Sequence, residues 1–125
     1  MRENKVLHVY YGERLGGTMA LTESKKAAFE YAYDELKKEN VQDKVSLFYN
    51  DYDTYFSVDD ELALISYINE GEKAKICGGI GMQSHVDIKR PTLEEYGNAL
   101  KAFINAGLEV QITELDITIN FDTDD

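Results

Sequence analysis

Residues 92–117, TLEEYGNALKAFINAGLEVQITELDI, predict a helix followed by a strand. Thr92 and Glu95 have the spacing of a capping box, which marks a helix start. The apolar residues that recur at helical spacing form one face, and they are Tyr96, Leu100, Phe103 and Ile104. Gly107 is a typical helix end, and the branched apolar residues of Glu109–Ile117 favour a strand directly after it.

Two further helix–strand units precede this one. Their predicted elements are Thr22–Asn40 with Val45–Asn50, and Val58–Glu70 with Ile76–Ser84. Ser57 and Asp60 resemble a capping box at the start of the second helix, with Asp in place of the usual Glu or Gln. Gly71 stops that helix. The order α-β-α-β-α-β with short connections predicts parallel strands joined by right-handed crossovers.

The spacing of the units favours a barrel over a doubly wound sheet. Asn50, Gln83 and Glu114 stand near the carboxyl ends of the predicted strands, 33 and then 31 residues apart. An eight-stranded barrel of about 250 residues has units of about 31 residues. No glycine-rich phosphate loop follows a strand; Gly78-Gly79-Ile80-Gly81 falls inside an apolar strand, where we expect close packing in a barrel wall. The predicted fold class is α/β, with parallel (β/α) units of a TIM (β/α)8 barrel, of which this chain is a part.

Charge and composition narrow the class of partner. The formal net charge of -11 argues against nucleic acid and against an anionic membrane surface. No apolar run approaches the roughly 20 residues of a membrane span, and the N-terminus has no signal-peptide core. Cys77 is the only cysteine, so an internal disulfide is excluded. His8 and His85 are too far apart for a metal-ligand motif, so we predict neither a metal nor another cofactor.

Polar residues cluster where a barrel enzyme places its active site. The three predicted strands end in Asn50-Asp51, Gln83-Ser84-His85 and Glu114-Leu115-Asp116. The carboxyl ends of the strands form the catalytic rim of this fold. The alternative is that these residues are polar because strand ends meet solvent, and the pattern by itself does not separate the two.

Three blocks at these strand ends resemble glycoside hydrolase family 10, the endo-β-1,4-xylanases. They are LFYNDY at 47–52, GIGMQSH at 79–85 and GLEVQITELDI at 107–117. Their order and spacing are similar to those of the family's fifth, sixth and seventh strands. The resemblance covers about residues 10–119 and leaves 120–125 as an acidic tail, so it implies one partial glycosidase barrel domain over residues 1–125.

The resemblance implies a role for each residue that it matches. Glu114 matches the nucleophile of a retaining glycosidase, and His85 and Asp116 match the pair that orients and tunes it. Gln83 matches a polar contact near the reacting sugar. Asn50 matches a rim residue on the substrate side. The implied substrate is xylan or a xylo-oligosaccharide, and the enzyme would cleave its internal β-1,4 bonds.

Two local expectations accompany these roles. Tyr52, in an aromatic-rich stretch, is the tyrosine that we expect to contact sugar. Regular alternation along the last strand predicts that Glu114 and Asp116 share a face, with Val110 and Ile112 below them.

The second carboxyl that the reaction needs is absent from the matched blocks. A retaining glycosidase places a general acid about 5–5.5 Å from its nucleophile. The family supplies it as an Asn-Glu pair at the end of the fourth strand. The one such pair here, Asn69-Glu70, ends a predicted helix, and we reject it as the acid. We therefore expect a chain that is inactive on xylan unless it is complemented.

Three hypotheses about the whole protein stay open. The first is the nucleophile-bearing part of a xylanase, secreted as the resemblance implies although this chain carries no signal peptide. The second is a non-catalytic partial barrel that binds glycan or a partner chain, through self-association or missing barrel segments. The third is another retaining glycosidase of the same architecture, against which the block GMQSH at 81–85 argues.

Overall fold

The computed structural model describes residues 5–9 and 19–119, and in them four parallel strands alternate with three helices. The elements are β1 (Lys5–Val9), α1 (Met19–Lys38), β2 (Val45–Tyr52), a short 3-10 helix (Thr54–Phe56), α2 (Val58–Asn69), β3 (Gly79–Asp87), α3 (Leu93–Asn105) and β4 (Glu109–Thr118). The strand order in the sheet is β1-β2-β3-β4. Sequential parallel neighbours joined by helices are the repeating unit of a (β/α) barrel, so the predicted fold class is confirmed.

The N-terminal strand β1 was not predicted. Its five residues, KVLHV, pair in parallel with β2, and His8 lies opposite Phe48 in the register. The strand is short and the sequence around it offers no helix pattern that would mark another unit. The predicted acidic tail, 120–125, lies outside the described residues.

The predicted strand Ile76–Ser84 begins too early and ends too early. β3 spans Gly79–Asp87 instead. The Asn69 side chain donates to the Cys77 carbonyl and accepts from the Cys77 amide, each at 2.9 Å. An amide side chain therefore satisfies backbone groups that a strand would pair with its neighbour.

Helix ends were predicted with mixed success. The capping box of α3 is confirmed, because the Glu95 amide donates to Thr92 Oγ1 at 3.0 Å and the Thr92 amide donates to Glu95 Oε1 at 2.9 Å. The box predicted at Ser57 is wrong. Ser57 Oγ donates to the Asp53 carbonyl at 3.1 Å, because the preceding 3-10 helix brings that carbonyl within reach of the hydroxyl.

The core lies between the helices and one face of the sheet. The strands contribute Leu47, Tyr49, Ile80 and Met82, and the helices contribute Phe29, Ile65, Ile68, Ala99 and Phe103. Burying each large apolar side chain is worth about 1.5–3 kcal/mol, so this layer holds the strand ends in a fixed arrangement. Among the described helices, none is long and apolar enough to cross a membrane.

The close packing predicted for the glycines of 78–81 is confirmed at Gly79 and wrong at Gly78, which precedes β3. A Cβ added at Gly79 would lie 2.6 Å from the Phe48 ring and 2.8 Å from the Glu109 carbonyl oxygen. A Cβ added at Gly78 would meet nothing within 4 Å. Gly79 therefore lets β2 and β4 flank β3 closely, and Gly78 has no such function.

Candidate active site

The strand register divides the predicted site residues between the two faces of the sheet. Gln83 pairs with Tyr52 on one side and Thr113 on the other, so these three residues share a face. Thr113 Oγ1 donates to Asn50 Oδ1 at 2.8 Å across β3, which places Asn50 there too. Val110 packs against the core on the helix side. The face opposite the helices therefore carries the polar residues.

Glu114 reaches that polar face through a bulge in β4. Gln83 pairs with Thr113 and His85 pairs with Asp116, so two residues of β4 stand opposite the single residue Ser84. The backbone of Glu114 is left-handed, with φ 52°. An extra residue in one strand re-aims the side chains that follow it.

This bulge corrects the expectation drawn from regular alternation. Val110 and Ile112 pair with Ile80 and Met82, both of which are in the core, so they belong to the helix side of the sheet. Unbroken alternation would place Glu114 on that side as well. The prediction that Glu114 shares a face with Val110 and Ile112 is wrong, although Glu114 and Asp116 do come together.

His85 joins the two carboxylates. Its Nδ1 lies 2.8 Å from Asp116 Oδ2, and its Nε2 lies 3.2 Å from Glu114 Oε1. A neutral imidazole has one N–H, so it donates to only one carboxylate, whereas the imidazolium donates to both. The hydrogen bond with Asp116, followed by the one with Glu114, raises the pKa of His85 above 6.5.

The trio places an imidazole nitrogen against a carboxylate oxygen of Glu114. A charged imidazole makes a shorter and stronger hydrogen bond to a carboxylate than a neutral one does. The side chains of His85 and Glu114 are about half exposed and that of Asp116 about two thirds, so solvent can reach the carboxylate oxygens. The arrangement can therefore present an oriented carboxylate oxygen to a molecule that binds at the rim.

The predicted substrate contacts have different surroundings. Asn50 is 7% exposed, and its oxygen is engaged by Thr113. Tyr52 is 39% exposed at the end of β2. Gln83 lies on the same face, two residues before His85. The structure brings Gln83, His85, Glu114 and Asp116 to one edge of the sheet, with Asn50 deeper in it.

Several neighbours of the site were missed by sequence reasoning. Thr113 donates a hydrogen bond to Asn50. The two residues are 63 positions apart in the chain, so no local sequence pattern indicates this contact. An open pocket of about 300 Å³ lies beside His85, with Phe56, Asp87 and Arg90 among its walls. The Arg90 guanidinium stands 4.8 Å from the centroid of the Phe56 ring. Within the ranges described, no group of three or more His, Cys, Asp and Glu is arranged to hold a metal ion.

The Asn69-Glu70 pair lies away from this edge. Asn69 is bound to Cys77, which comes before the amino end of β3. His85 and Glu114 belong to the carboxyl ends of β3 and β4. The pair is therefore a helix terminus, as expected from its place before Gly71.

Comparison with known proteins shows the family. The model of "Glycosyl hydrolase family 10" matches residues 23–124. A match over this share of the chain places the protein in glycosyl hydrolase family 10. The resemblance noted in the strand-end blocks is confirmed.

The relatives are named as xylanases, and this chain spans 24% to 33% of the length of the three that follow. It is 52% identical over 99 residues to endo-1,4-beta-xylanase A of Butyrivibrio fibrisolvens, covering 79% of this chain and 24% of that protein. A Thermobacillus composti GH10 xylanase superposes with a TM-score of 0.67 at 28% identity, over 86% of this chain and 33% of the other. An intracellular xylanase of Thermoanaerobacterium saccharolyticum, solved with xylotriose, gives a TM-score of 0.64 at 28% identity, over 81% of this chain and 29% of the other.

Proposed function

We propose that this chain carries the nucleophile of a retaining endo-β-1,4-xylanase. The observation that supports the proposal best is the contact of His85 with both Glu114 and Asp116 at the carboxyl edge of the sheet. A carboxylate that an imidazole orients through a hydrogen bond is an arrangement suited to a nucleophile. The family and its xylanase members supply the reaction class.

Each residue of the site has a part in this proposal. Glu114 attacks the anomeric carbon of a xylosyl unit and forms a covalent glycosyl-enzyme, which water then hydrolyses. His85 donates to Glu114 and orients it, and Asp116 holds the imidazole in place. Gln83 and Tyr52 contact the sugar from the same face, and Asn50, oriented by Thr113, supports that surface.

The substrate proposed is xylan or a xylo-oligosaccharide. The relatives are named for endo-1,4-β-xylanase activity, and one of them was solved with xylotriose bound. For the compartment we propose secretion, as in the sequence analysis; the xylanase solved with xylotriose is itself described as intracellular. Detection of the protein in the medium or in the cells of its source organism tests the compartment.

Hydrolysis of xylan needs a general acid as well. Within 5–9 and 19–119, the carboxylate that shares His85 with Glu114 is Asp116, which is bound to the imidazole and is not free to protonate a leaving oxygen. We therefore propose that the chain by itself does not turn over xylan. Xylan turnover by this polypeptide alone, abolished by Glu114→Gln, would contradict this.

Covalent labelling tests the nucleophile without needing the acid. The probe is a 2-deoxy-2-fluoro-xylobioside activated with a dinitrophenyl group. Its dinitrophenolate leaving group departs without being protonated. Attack by Glu114 then leaves the fluorosugar attached to the carboxylate as a stable ester. We expect slow labelling of the chain, with the added mass on the peptide that contains Glu114. Glu114→Gln should remain unlabelled. A label on another residue would refute the proposed role.

A second proposal concerns association of this chain with other polypeptide segments, and the exposed apolar residues of β4 favour it. Ile112, Leu115 and Ile117 are 50%, 61% and 56% exposed, and β4 is an edge strand of the described sheet. Exposed apolar edges associate with other chains. We propose that this edge takes up other barrel segments or a second copy. Size-exclusion profiles measured over a range of protein concentrations test association, and a monomer at all of them would contradict it.

A further inference from the structure

Ser84 lies in β3 directly opposite the bulge that contains the proposed nucleophile. It is the one residue of β3 that stands opposite the two bulge residues Glu114 and Leu115. Its side chain is fully buried. Because neighbouring residues of a strand point to opposite faces, Ser84 faces the helices while His85 faces the site.

The hydroxyl of Ser84 connects a helix to the backbone of β3. Ser84 Oγ donates to the Met82 carbonyl at 2.9 Å. The Tyr96 hydroxyl of α3 lies 2.7 Å from the same Oγ. A serine hydroxyl has one hydrogen, so the Tyr96 hydroxyl is the donor in the second bond. The direction of the chain is therefore Tyr96 to Ser84 to Met82.

A second tyrosine holds the other end of this short segment. The Tyr55 hydroxyl donates to the His85 carbonyl at 3.4 Å. The Tyr55 ring is buried, and it packs on the Tyr96 ring with centroids 5.5 Å apart. Two tyrosines whose rings are in tilted contact thus hold this segment, Tyr96 through the Ser84 hydroxyl and Tyr55 directly at the His85 carbonyl.

We propose that Ser84, Tyr96 and Tyr55 are positioning residues that fix His85 for its contacts with Glu114 and Asp116. The inference rests on the proposed function in that it takes Glu114 as the nucleophile. In this proposal none of the three takes part in the reaction directly, although Tyr55 also lines the pocket beside His85. They act through the backbone of Met82–His85, which sets where the imidazole stands.

The bulge in β4 explains why hydrogen bonds from the helix side are needed to hold the backbone of β3 near His85. A bulge leaves one residue unpaired and interrupts the ladder locally, so β3 loses support from β4 beside His85. Hydrogen bonds weaken as their length and angle depart from the ideal. The two imidazole contacts, at 2.8 and 3.2 Å, depend on the place of a half-exposed ring. Small movements of the His85 backbone therefore change both contacts.

The variants that test the proposed positioning role leave every charged group around His85 unchanged. The carboxylates of Glu114 and Asp116 contact the ring. Asp53, Asp87 and Arg90 line the neighbouring pocket. Ser84→Ala, Tyr96→Phe and Tyr55→Phe each remove a neutral hydroxyl and none of these charges. A change in His85 protonation in such a variant reports geometry.

The experiment is an NMR titration of His85 in the whole 125-residue chain without any sugar. In Ser84→Ala and in Tyr96→Phe we expect the pKa of His85 to fall toward its ordinary value, with weaker hydrogen-bond signatures at both ring nitrogens. Tyr55→Phe should give a smaller fall. The control Tyr31→Phe, whose ring is 70% exposed on α1, should leave the pKa unchanged.

A second control separates positioning from general stability. Ile68→Val alters a fully buried side chain of α2 and should lower the Tm without moving the pKa of His85. The double variant Ser84→Ala/Tyr96→Phe should shift the pKa no more than Ser84→Ala alone, because Tyr96 acts through the Ser84 hydroxyl. If Tyr96→Phe and Ser84→Ala titrate like Tyr31→Phe, or if their shifts add, the inference is wrong.

These outcomes are independent of the labelling test for the nucleophile. An unchanged pKa of His85 counts against the positioning residues whatever the chain does with sugar. A chain that is not labelled at Glu114 counts against the proposed function, while the titration still measures how Ser84 and Tyr96 hold His85.

Discussion

Glu114 meets the imidazole of His85 at 3.2 Å because its own backbone is left-handed, with φ 52°. In an unbroken strand the side chain would point toward the helices. A left-handed backbone costs a non-glycine residue of order 1 kcal/mol. The sheet maintains it through the pairs on either side of the bulge, Gln83 with Thr113 and His85 with Asp116.

The role of Glu114 predicts a specific rescue. In a protein that joins this chain to the remaining units of a family member's barrel, Glu114→Ala should reduce xylan hydrolysis at least about a thousandfold, which corresponds to about 4 kcal/mol. External azide should restore turnover of an activated aryl xyloside, because azide takes the place of the lost carboxylate. Product analysis should then show a glycosyl azide of inverted configuration. No azide product would argue against a nucleophile at this position.

The pKa of His85 predicts a pH dependence. The folded-state pKa lies above 6.5, so the stabilising contribution of the charged ring is fully present below about pH 6.5 and is lost as pH rises through the folded pKa. The difference in Tm between the chain and His85→Gln should therefore shrink on going to alkaline pH. Asp116→Asn should lower the pKa of His85 more than Glu114→Gln, since Asp116 is the largest cause. The opposite order by NMR would contradict the assignment.

Glu61 predicts a second loss of stability as pH rises, in the same direction as that of His85. It is 6% exposed, its Oε1 meets no hydrogen-bond partner among the described residues, and burial followed by a hydrogen bond with Asp51 raises its pKa from 4.5 to about 9. The folded chain thus keeps a proton that the unfolded chain loses, and stability falls as pH rises from 4.5 to about 9.

Glu61→Gln should remove this dependence of the free energy of unfolding on pH. Near pH 8 the variant should be more stable by about 2 kcal/mol, measured by urea unfolding. The exposed residue Asp59, which is not among the causes of the shift, provides the control: Asp59→Asn should leave the pH dependence in place. A variant that loses stability at pH 8 would show that the carboxyl is not held neutral.

Lys26 predicts a large effect for one surface lysine. Its ammonium donates to the carbonyls of Tyr67 at 3.0 Å, Ile68 at 2.8 Å and Glu70 at 3.1 Å, at the end of α2. Lys26→Met should lower the free energy of unfolding by about 1–3 kcal/mol, because these carbonyls lose a charged donor. Lys37→Met removes an exposed ion pair with Asp34 and should cost less than about 0.5 kcal/mol. Equal effects would contradict the capping role.

Gly79 and Gly78 form a matched pair for core packing. Gly79→Ala brings a methyl group against the Phe48 ring and the Glu109 carbonyl and should cost about 1–3 kcal/mol. Gly78→Ala meets open space and should be close to neutral. Equilibrium unfolding in urea measures both. A stable Gly79→Ala would mean that β2, β3 and β4 can separate without cost.

Local signals predicted the helices well and their connections less well. The capping box of Thr92 and Glu95 and the left-handed Gly107, with φ 85°, act within a few residues and appear as predicted. Ser57 failed as a cap because a 3-10 helix, which nothing in the apolar pattern marks, offers its hydroxyl another carbonyl. β1 was missed because five residues carry too little periodicity to identify a strand.

The sequence by itself determined the repeating helix–strand unit, the parallel sheet and the identity of the polar residues at the strand ends. Hydrophobic period and capping depend on neighbours in the chain, so they can be read from it. Only the tertiary structure decided which face Glu114 takes. That depends on a one-residue offset between β3 and β4, two strands whose paired residues are about 30 positions apart. The same offset brings Asp116 and Glu114 to the two nitrogens of His85.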